Sequence, residues 1–437
     1  MNKYISTAIA LFASVSLAFG QANISPAKPQ SQRIIVMGAT IHTGDGKVIE
    51  NGYLILDKGK ITGIGDATVV KLNLTDARLI TASGKHIYPG FIAAITNLGL
   101  VEIESVKATI DEDELGENNA HIRSIIAYNT DSKVPATLRS NGVLMAQITP
   151  KGGTISGSSS VVQLDAWNWE DAAIKKEDAM HMTWPVTPRG RGGFGGGRPG
   201  AAPTGVDPNE RTQNAIAELN KFFVEAKAYT ENKPAVTNTR LAAMKGLFNG
   251  TQKLFIAADY QKEIVAAVNF AKKFGITPVI VGGDEAYLLT DFLKKNNVPV
   301  VVKQPHALPV NADDDVNMPY KNAALLSNAG VTVVVSIDGF WQQRNLPFMA
   351  GTAATWGMNK EEALKTITLN AAIAMGIEQT TGSLAIGKDA TFFISEGDAL
   401  DMKSNRVEEA FIQGRSINLD NLHKQLDKKF SDKYGIK

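Results

Sequence analysis

Two ionisable residues that follow apolar segments form the pair best suited to acid–base chemistry. Asp338 lies near the end of the segment Val335 to Gly339. His306 comes two residues after Gln304, just beyond another apolar run. Carboxyl ends of parallel strands meet at one edge of a sheet, where an imidazole and a carboxylate can exchange protons. The competing interpretations are an Asp that only hydrogen-bonds to backbone and a loop His that caps a turn. We predict Asp338 and His306 as catalytic candidates and Gln304 as a substrate-binding residue.

A glycine- and hydroxyl-rich segment from Lys151 to Ser160 is a second candidate. Its glycines leave backbone N–H groups open and its serines add donors, a pattern that suits a bound carboxylate or phosphate. No G-x-S-x-G elbow surrounds a serine, so a serine nucleophile lacks its usual turn. The alternative is a flexible surface loop. We predict Ser156 as a substrate-binding residue.

The chain has few cysteine or histidine residues that could bind zinc, and they are scattered along the sequence. The chain has no cysteine and six histidines. The histidine positions are His42, His86, His121, His181, His306 and His423. None of them form a pair with metal-ligand spacing, and a hydrolytic zinc needs about three protein ligands and one open position. The sequence therefore predicts no metal site and no cofactor.

Apolar runs alternate with amphipathic stretches along the middle of the chain, as a parallel α/β sheet requires. Asp207-Pro208-Asn209-Glu210 carries an N-cap, a proline at the first helical position and an acid two residues later. The candidate strands are Phe91 to Ile95, Val143 to Ile148, Val161 to Leu164, Leu254 to Ala257, Pro278 to Val281, Val298 to Val302 and Val331 to Val335.

Short strands and turns lie at both ends of the mature chain. Arg33 to Met37 is β-branched and apolar, and Gly44-Asp45-Gly46-Lys47 is typical of a hairpin turn. Near the other end, Gly382-Ser383-Leu384 and Gly387-Lys388 precede the apolar run Ala390 to Ile394. Each end thus contributes strands to a small β-unit.

Two of these segments resemble the amidohydrolase superfamily, in its imidazolonepropionase-like branch. Pro89-Gly90-Phe91-Ile92 resembles the start of the family segment Pro-Gly-Phe-Ile-Asp-x-His-x-His-Leu-Gly, and Gly382 to Ala390 matches Gly-Ser-Leu-x-x-Gly-Lys-x-Ala. The resemblance implies an α/β fold: a (β/α)8 TIM barrel of the metal-dependent hydrolase type, with a composite β-sandwich from N- and C-terminal strands. It implies a sandwich over residues 33–86 plus 384–418 and a barrel over 87–383.

The resemblance also locates the residues that bind metal in the family. The two histidines of the first strand are replaced by Ile95 and Asn97, and the third histidine position aligns with Ala257. Isoleucine cannot ligate a metal, and asparagine is a weak neutral oxygen donor. Asp338 aligns with the family's metal-binding acid. We predict Asn97 as a substrate-binding residue in a site that has lost its metal.

The N-terminus predicts export. Lys3 precedes an apolar run from Ala8 to Ala18, and Ala18-Phe19-Gly20 offers small residues for signal-peptide cleavage before Gln21. We expect a signal peptide over 1–20, a linker over 21–32, and a periplasmic or secreted protein without a membrane anchor. The net charge of +1 gives no drive towards nucleic acid.

Two further segments lie outside the predicted core. Residues 189–205 form a Gly/Arg-rich insert, for which we consider a flexible surface loop, an active-site lid, a subunit contact and, last, an RNA-binding segment. Residues 419–437 form a predicted helical tail, because Leu422, Leu426 and Phe430 recur at helical spacing and suit a helix lying on the body.

Two functions fit this pattern. The first is a non-catalytic or weakly active pseudoenzyme that binds a small molecule or a related active amidohydrolase subunit, with an oligomer as one form. The second is an active hydrolase of cyclic amides or dipeptide-like substrates that uses Asp338 and His306 with a rebuilt or metal-free site. A plain periplasmic binding module is a third.

Overall fold

Two eight-stranded sheets organise this protein. The computed structural model describes residues 25–71, 73–187, 207–232, 236–309, 311 and 313–436. The predicted signal peptide and the Gly/Arg-rich insert lie outside these residues. In the described part of the chain no helix is long and apolar enough to cross a membrane.

The first sheet joins the two ends of the chain. Its strand order is β16-β15-β14-β5-β1-β2-β3, with β4 paired to β1. Its strands are β1 (Arg33–His42), β2 (Val48–Asp57), β3 (Lys60–Asp66), β4 (Ala77–Thr81), β5 (His86–Pro89), β14 (Phe392–Ser395), β15 (Val407–Ile412) and β16 (Arg415–Ser416). β14 pairs antiparallel with β5, so the last strands complete a sheet that the first strands begin. Phe392 and Phe411 stack in its core at 4.7 Å.

The second sheet is a nearly closed barrel in the order β13-β12-β11-β10-β9-β8-β7-β6. Its strands are β6 (Phe91–Thr96), β7 (Val143–Ile148), β8 (Ile155–Gln163), β9 (Ala173–Thr183), β10 (Lys253–Ala258), β11 (Pro278–Gly282), β12 (Val300–Val302) and β13 (Val333–Val335). The Ser336 hydroxyl donates to the Ala94 carbonyl at 2.6 Å and so links the last strand to the first. The predicted TIM-barrel-type domain with a β-rich unit is confirmed.

Side chains alternate along each barrel strand, so that one set points into the barrel and packs there. Ile92 and Ala94 of β6 point to one buried cluster, whereas Phe91 and Ala93 belong to another. Every barrel strand contributes to the inner cluster, as the period of two along a strand requires. Residues of the helix Leu369–Met375 join that cluster, and Asn370 of this helix donates to the Val333 carbonyl at the start of β13. The amino end of the barrel is therefore plugged, and the carboxyl ends of the strands are left for a site.

Helices cover the outside of the barrel. They are α1 (Lys133–Arg139), α2 (Trp169–Ala172), α3 (Pro208–Glu231), α4 (Thr239–Ala243), α5 (Lys245–Phe248), α6 (Gln261–Lys273), α7 (Thr290–Lys295), α8 (Met318–Asn328), α9 (Leu346–Thr355), α10 (Lys360–Thr366), α11 (Leu369–Met375) and α12 (Leu422–Tyr434). The predicted start of α3 is confirmed: the Asp207 carboxylate accepts from the Asn209 N–H at 2.9 Å. Short 3-10 turns lie at Lys107–Thr109, Ser124–Ala127, Ala286–Leu289 and Gln342–Asn345.

One part of the barrel departs from the predicted alternation. β8 runs antiparallel to both β7 and β9, so three strands follow one another with only the short α2 between them. The apolar pattern predicts a strand only at Val161 to Leu164 in this region and gives no signal for β9. The serine-rich start of β8 reads as a loop, but pairing on both sides satisfies its backbone and overrides the low strand propensity.

The C-terminal helix was predicted correctly as a helix, but its expected packing was wrong. Leu422, Leu426 and Phe430 are 46%, 39% and 46% exposed. Its contact with the body lies at its first turn, where the Asn421 side chain donates to the Ser140 hydroxyl and the His423 ring lies 5.4 Å from the Trp341 ring. The helix is therefore attached at one end and leaves its apolar stripe uncovered.

Candidate functional site at the barrel mouth

A cleft opens at the carboxyl ends of the barrel strands, where TIM-barrel sites lie. It consists of two adjoining cavities of about 310 and 170 Å³ that share Lys303 and Asp338. We call the larger cavity the carboxylate lobe, which Asp259, Asp284, Asp314 and Asn322 line. We call the smaller one the imidazole lobe, which Ile95, Asn97, Ser156 and His181 line.

The carboxylate lobe takes its acids from consecutive strand ends. Asp259 directly follows β10 and Asp284 follows β11 by two residues. Burial, together with the charges of Asp259 and Glu285, raises the pKa of Asp284 to about 6. Burial also raises the pKa of Asp259, while Lys303 opposes that rise. These carboxylates thus crowd one another in a partly dry site.

Gly282, the last residue of β11, makes room for this arrangement. Its φ is +95°, in the region that favours glycine, and a Cβ atom there would lie 1.9 Å from Asp259 Oδ1. The Asp259 carboxylate therefore rests on bare backbone.

Lys303 is the cation that the two lobes share. It follows β12, and its Nζ lies 4.0 Å from Asp338 Oδ1. The Asp338 side chain is 55% exposed. Asp338 therefore stands at the open boundary of the lobes, paired loosely with a lysine.

Ile95 occupies a distorted point of β6 in the imidazole lobe. Its φ is +53°, a conformation in which a β-branched residue is strained. The pairing of β6 with β7 shifts register between Ala93 and Thr96, so Ile95 lies in a bulge. Its N–H donates to Gln147 Oε1 at 3.3 Å. An apolar side chain therefore lines the cleft where the sequence comparison expects an imidazole.

Asn97 lies two residues beyond Ile95 and is 7% exposed. Its Nδ2 donates to Glu112 Oε2 at 2.7 Å, and Glu112 in turn pairs with Lys151 at 2.9 Å. Among the described residues its Oδ1 atom has no hydrogen-bond partner. Asn97 is therefore placed to accept a hydrogen bond, as a predicted substrate-binding residue must be.

A buried polar network forms the base of the imidazole lobe. Ser159 Oγ donates to Asp178 Oδ1 at 2.7 Å and lies 2.8 Å from His181 Nε2. Gln147 Nε2 donates to Asp178 Oδ2 at 2.7 Å. Because the Ser159 proton goes to the carboxylate, His181 Nε2 is the donor to Ser159 Oγ. Burial lowers the pKa of His181 to about 3 and raises the pKa of Asp178 to about 6.

This network is not a nucleophile–base–acid triad. Asp178 contacts the serine and not the imidazole, so it does not orient His181 as a base. Desolvation keeps the imidazole neutral near neutral pH. The network therefore fixes the positions of β7, β8 and β9 relative to one another.

The predicted anion loop is not available in the form that the sequence suggested. Ser156 lies in β8 and lines the imidazole lobe at 7% exposure. The N–H groups of Thr154 and Ile155 donate to the Glu117 carbonyl, and that of Ser158 donates to the Ile122 carbonyl. These N–H groups already donate to the segment from Glu117 to Ile122 and are not free for an anion. Of the prediction for this loop, the structure retains the position of Ser156 in the cleft.

His306 lies apart from Asp338. Its Nε2 lies 2.7 Å from the Thr352 hydroxyl, and its ring stacks 5.4 Å from Tyr320. It lines a different cavity, between α9 and residues 398–402. Gln304, with φ of +46°, lines the carboxylate lobe together with Asp338. The structure thus brings Gln304 and Asp338 together and leaves His306 outside the cleft.

Five polar residues of the cleft were missed by the sequence analysis. They are Asp178, His181, Asp259, Asp284 and Lys303. Asp259, Asp284 and Lys303 come within three residues of the ends of apolar runs that were predicted as strands, which was a usable signal. Asp178 and His181 lie on β9, whose alternating polar pattern was not recognised as a strand.

Comparison with known proteins agrees with this architecture. The family model described as "Amidohydrolase family" matches residues 204–417. Together with the relatives and the solved structure described below, this match supports assignment of the chain to the amidohydrolase superfamily. An imidazolonepropionase of Flavobacterium johnsoniae is 23% identical over 84% of this chain and 92% of its own length. One from Fusobacterium nucleatum is 26% identical over 81% and 87%.

A shorter match and two solved structures complete the comparison. An imidazolonepropionase of Flavobacterium psychrophilum is 28% identical over 48% of this chain and 55% of its own length. A crystal structure of an amidohydrolase from Thermotoga maritima MSB8 covers 88% of this chain and 99% of its own, with a TM-score of 0.73 at 20% identity. A molinate hydrolase covers 89% and 95%, with a TM-score of 0.55 at 13% identity. These likenesses show the fold.

The divalent metal that the resemblance implies does not fit the side chains of this cleft. Ile95, Asn97 and Ala257 line it where the family places histidines. Among the residues that the structure describes, no group of three His, Cys, Asp or Glu side chains is arranged to hold one metal ion. Lys303 also places a competing cation beside Asp338. A zinc-type hydrolytic centre needs about three such ligands.

Proposed function

We propose that this amidohydrolase-family protein binds a small molecule in the barrel-mouth cleft and has lost metal-dependent hydrolysis. The observation that carries the proposal is the composition of the cleft wall, in which Ile95, Asn97 and Ala257 stand at the family's histidine positions. A barrel retains its packed core after its metal ligands are replaced, because packing and catalysis depend on different side chains.

The cleft retains the features of a binding site. It is concave, it has polar groups on several strand ends, and part of its wall is apolar. The raised pKa of Asp284 shows that carboxylates are held there at an energetic cost. Such a cost is typical of a site that is kept for a ligand.

The proposal includes the expected location and partner. The signal-like N-terminus supports a periplasmic or secreted protein. The apolar stripe of α12, formed by Leu422, Leu426 and Phe430, is exposed and supports an oligomer or a related active amidohydrolase subunit as partner.

Metal content is the measurement that tests the loss of hydrolysis. The mature protein is incubated with zinc and with manganese, gel-filtered and analysed by plasma mass spectrometry beside Asp338→Ala. We expect well under one tightly held equivalent in both proteins, because the cleft lacks a ligand set. About one or two equivalents that disappear in Asp338→Ala would contradict the proposal.

An active hydrolase is the second candidate. It is favoured by Asp338 at the cleft beside Lys303, and by relatives that carry the name imidazolonepropionase. Asp338 would then act as general base on a cyclic amide or dipeptide-like substrate with a carbon–nitrogen bond to cleave. Turnover of a panel of amides, lactams and dipeptides that Asp338→Asn abolishes would establish this function and displace the first.

A further inference from the structure

The carboxylate lobe has an excess of hydrogen-bond acceptors over donors. Asp259, Asp284 and Asp314 line it, and Asp338 lies at its boundary. Lys303 is the cation among its lining residues. A ligand that enters this lobe therefore meets net negative charge in a partly desolvated place, where charge is felt more strongly than in water.

A second, independent observation concerns a neutral side chain in the same wall. Asn322 lines the lobe and is 3% exposed. Its Nδ2 donates to the Gly283 carbonyl at 3.0 Å, and its Oδ1 has no hydrogen-bond partner among the described residues. The Nδ2 bond fixes the orientation of the amide, because the flipped form would oppose two oxygens. A buried acceptor in the wall of the carboxylate lobe therefore lacks a donor among the described residues.

Apart from Gln304, the other side chains that line the lobe are apolar. The apolar part of the lobe is lined by Met318 and Pro319 at the start of α8, by Val302 and by the exposed Leu308. A ligand that satisfies the lobe therefore combines N–H donors and positive charge at one end with an apolar group at the other.

We infer that the carboxylate lobe binds an organic cation of the amidinium or guanidinium class that carries an apolar group. The inference rests on the proposed ligand-binding function and specifies its ligand. A planar cation of this class offers several N–H donors and pairs with a carboxylate through two parallel hydrogen bonds. Asp284 and Asp259 are placed to receive the charge, and Asn322 Oδ1 to accept a further N–H.

The test uses three ligands of nearly equal shape. Benzamidine is cationic, benzamide is neutral and benzoate is anionic, so affinity differences between them report charge and donors. Binding to the mature full-length protein is measured by isothermal titration calorimetry near neutral pH. We expect benzamidine to bind at least about tenfold more tightly than benzamide, the size of one charge-assisted hydrogen bond. Benzoate should bind most weakly.

Variants locate the site. Asp284→Asn and Asp259→Asn should each weaken benzamidine binding by about tenfold and leave benzamide binding nearly unchanged. Asp313→Asn is the matched control, because Asp313 is exposed next to Asp314 and its substitution removes the same charge at a residue that does not line the lobe. Both variants of the lobe remove a carboxylate whose pKa is raised, so we expect them to fold, and an unfolding curve of each sample verifies this.

Three outcomes overturn the inference. Benzoate binding as tightly as benzamidine would show that Lys303 dominates the lobe and that its ligand is an anion. Displacement of benzamidine by calcium alone would assign the carboxylates to a metal. Absence of benzamidine binding at millimolar concentration would exclude the class. The first and third outcomes leave the proposed loss of metal-dependent hydrolysis intact, since metal content tests that separately.

Discussion

In the imidazole lobe the polar side chains hydrogen-bond to one another, whereas in the carboxylate lobe the acids face the cavity around a shared lysine. At the base of the imidazole lobe, Ser159 Oγ lies 2.7 Å from Asp178 Oδ1 and 2.8 Å from His181 Nε2. The pKa of Asp284 is instead raised by burial and by the charge of Asp259, and the pKa of Asp259 is raised by burial and by the charge of Asp338. The polar groups at the base of the imidazole lobe are thus paired with one another, although Asn97 Oδ1 in its wall has no partner among the described residues, whereas the acids of the carboxylate lobe line an open cavity.

This difference teaches that a buried polar group affects stability according to whether its hydrogen bonds are complete. A buried polar group is tolerated when its hydrogen bonds are complete, and it then contributes to the stability of the fold. An acid without a complete set of partners lowers stability and is expected where a ligand compensates for it. Substitutions in the two lobes should therefore change stability in opposite directions.

The largest effect should come from Gln147→Leu in the imidazole lobe. Gln147 is fully buried, donates to Asp178 and Ser159, and accepts from the Ile95 N–H. Its loss leaves a buried carboxyl with one donor fewer and should lower the free energy of unfolding by about 2–4 kcal/mol. Urea unfolding monitored by circular dichroism measures this change.

Gln304→Leu is the control for that substitution. Gln304 lies in the carboxylate lobe, is only partly buried and has a similar size change. We expect its effect to stay within about 0.5 kcal/mol. Equal losses in the two variants would show that the lobes do not differ in the way described.

The next effect concerns the pH dependence of stability through His181. Its folded pKa is lowered to about 3 from 6.5 by burial, so its contribution is complete above 6.5 and is lost as the pH falls towards 3. From about pH 7 to pH 5 the loss is about 2 kcal/mol. The folded pKa of Asp178 is raised to about 6, so its protonation increases the free energy of unfolding over part of the same fall in pH.

His181→Asn isolates the histidine contribution, because Asp178 remains in both proteins. The variant should be less stable than the parent near pH 7, but its stability should fall by about 2 kcal/mol less between pH 7 and pH 5. Unfolding curves at the two pH values give both numbers. Parallel losses in parent and variant would mean that His181 does not remain neutral in the folded state.

The smallest effect should come from Asp284→Asn in the carboxylate lobe, and it should be a gain. The folded pKa of Asp284 is raised to about 6 from 3.8, so its ionised form lowers stability as the pH rises through that range. The side chain is partly exposed, and solvent screening reduces the gain to about 1 kcal/mol near pH 7. The gain should vanish below about pH 4.

Thermal unfolding of the parent protein, Asp284→Asn and Asp313→Asn near pH 7 and below about pH 4 measures the gain in stability. Asp313 is exposed and should show no comparable change. A loss of stability in Asp284→Asn near neutral pH would show that Asp284 has a structural partner, and the contrast between the lobes would fail.

Local sequence determined a large part of this protein. Apolar runs located seven of the eight barrel strands, because a strand buried on both faces has few polar residues. The Asp207-Pro208 pair located the start of α3, because capping depends on a few adjacent residues. The sequence alone also has Ile95, Asn97 and Ala257 at the positions where the resemblance to the family expects histidines.

Only the tertiary structure decided which polar residues share a site. His306 and Asp338 follow successive apolar runs, yet the hydrogen bond to Thr352 places His306 in another cavity. The serines of β8 became a strand because β7 and β9 pair with it on both sides. Hydrogen-bond partners and burial depend on residues far apart in the chain, so neither the pKa of Asp284 nor the unpaired oxygen of Asn322 follows from local sequence.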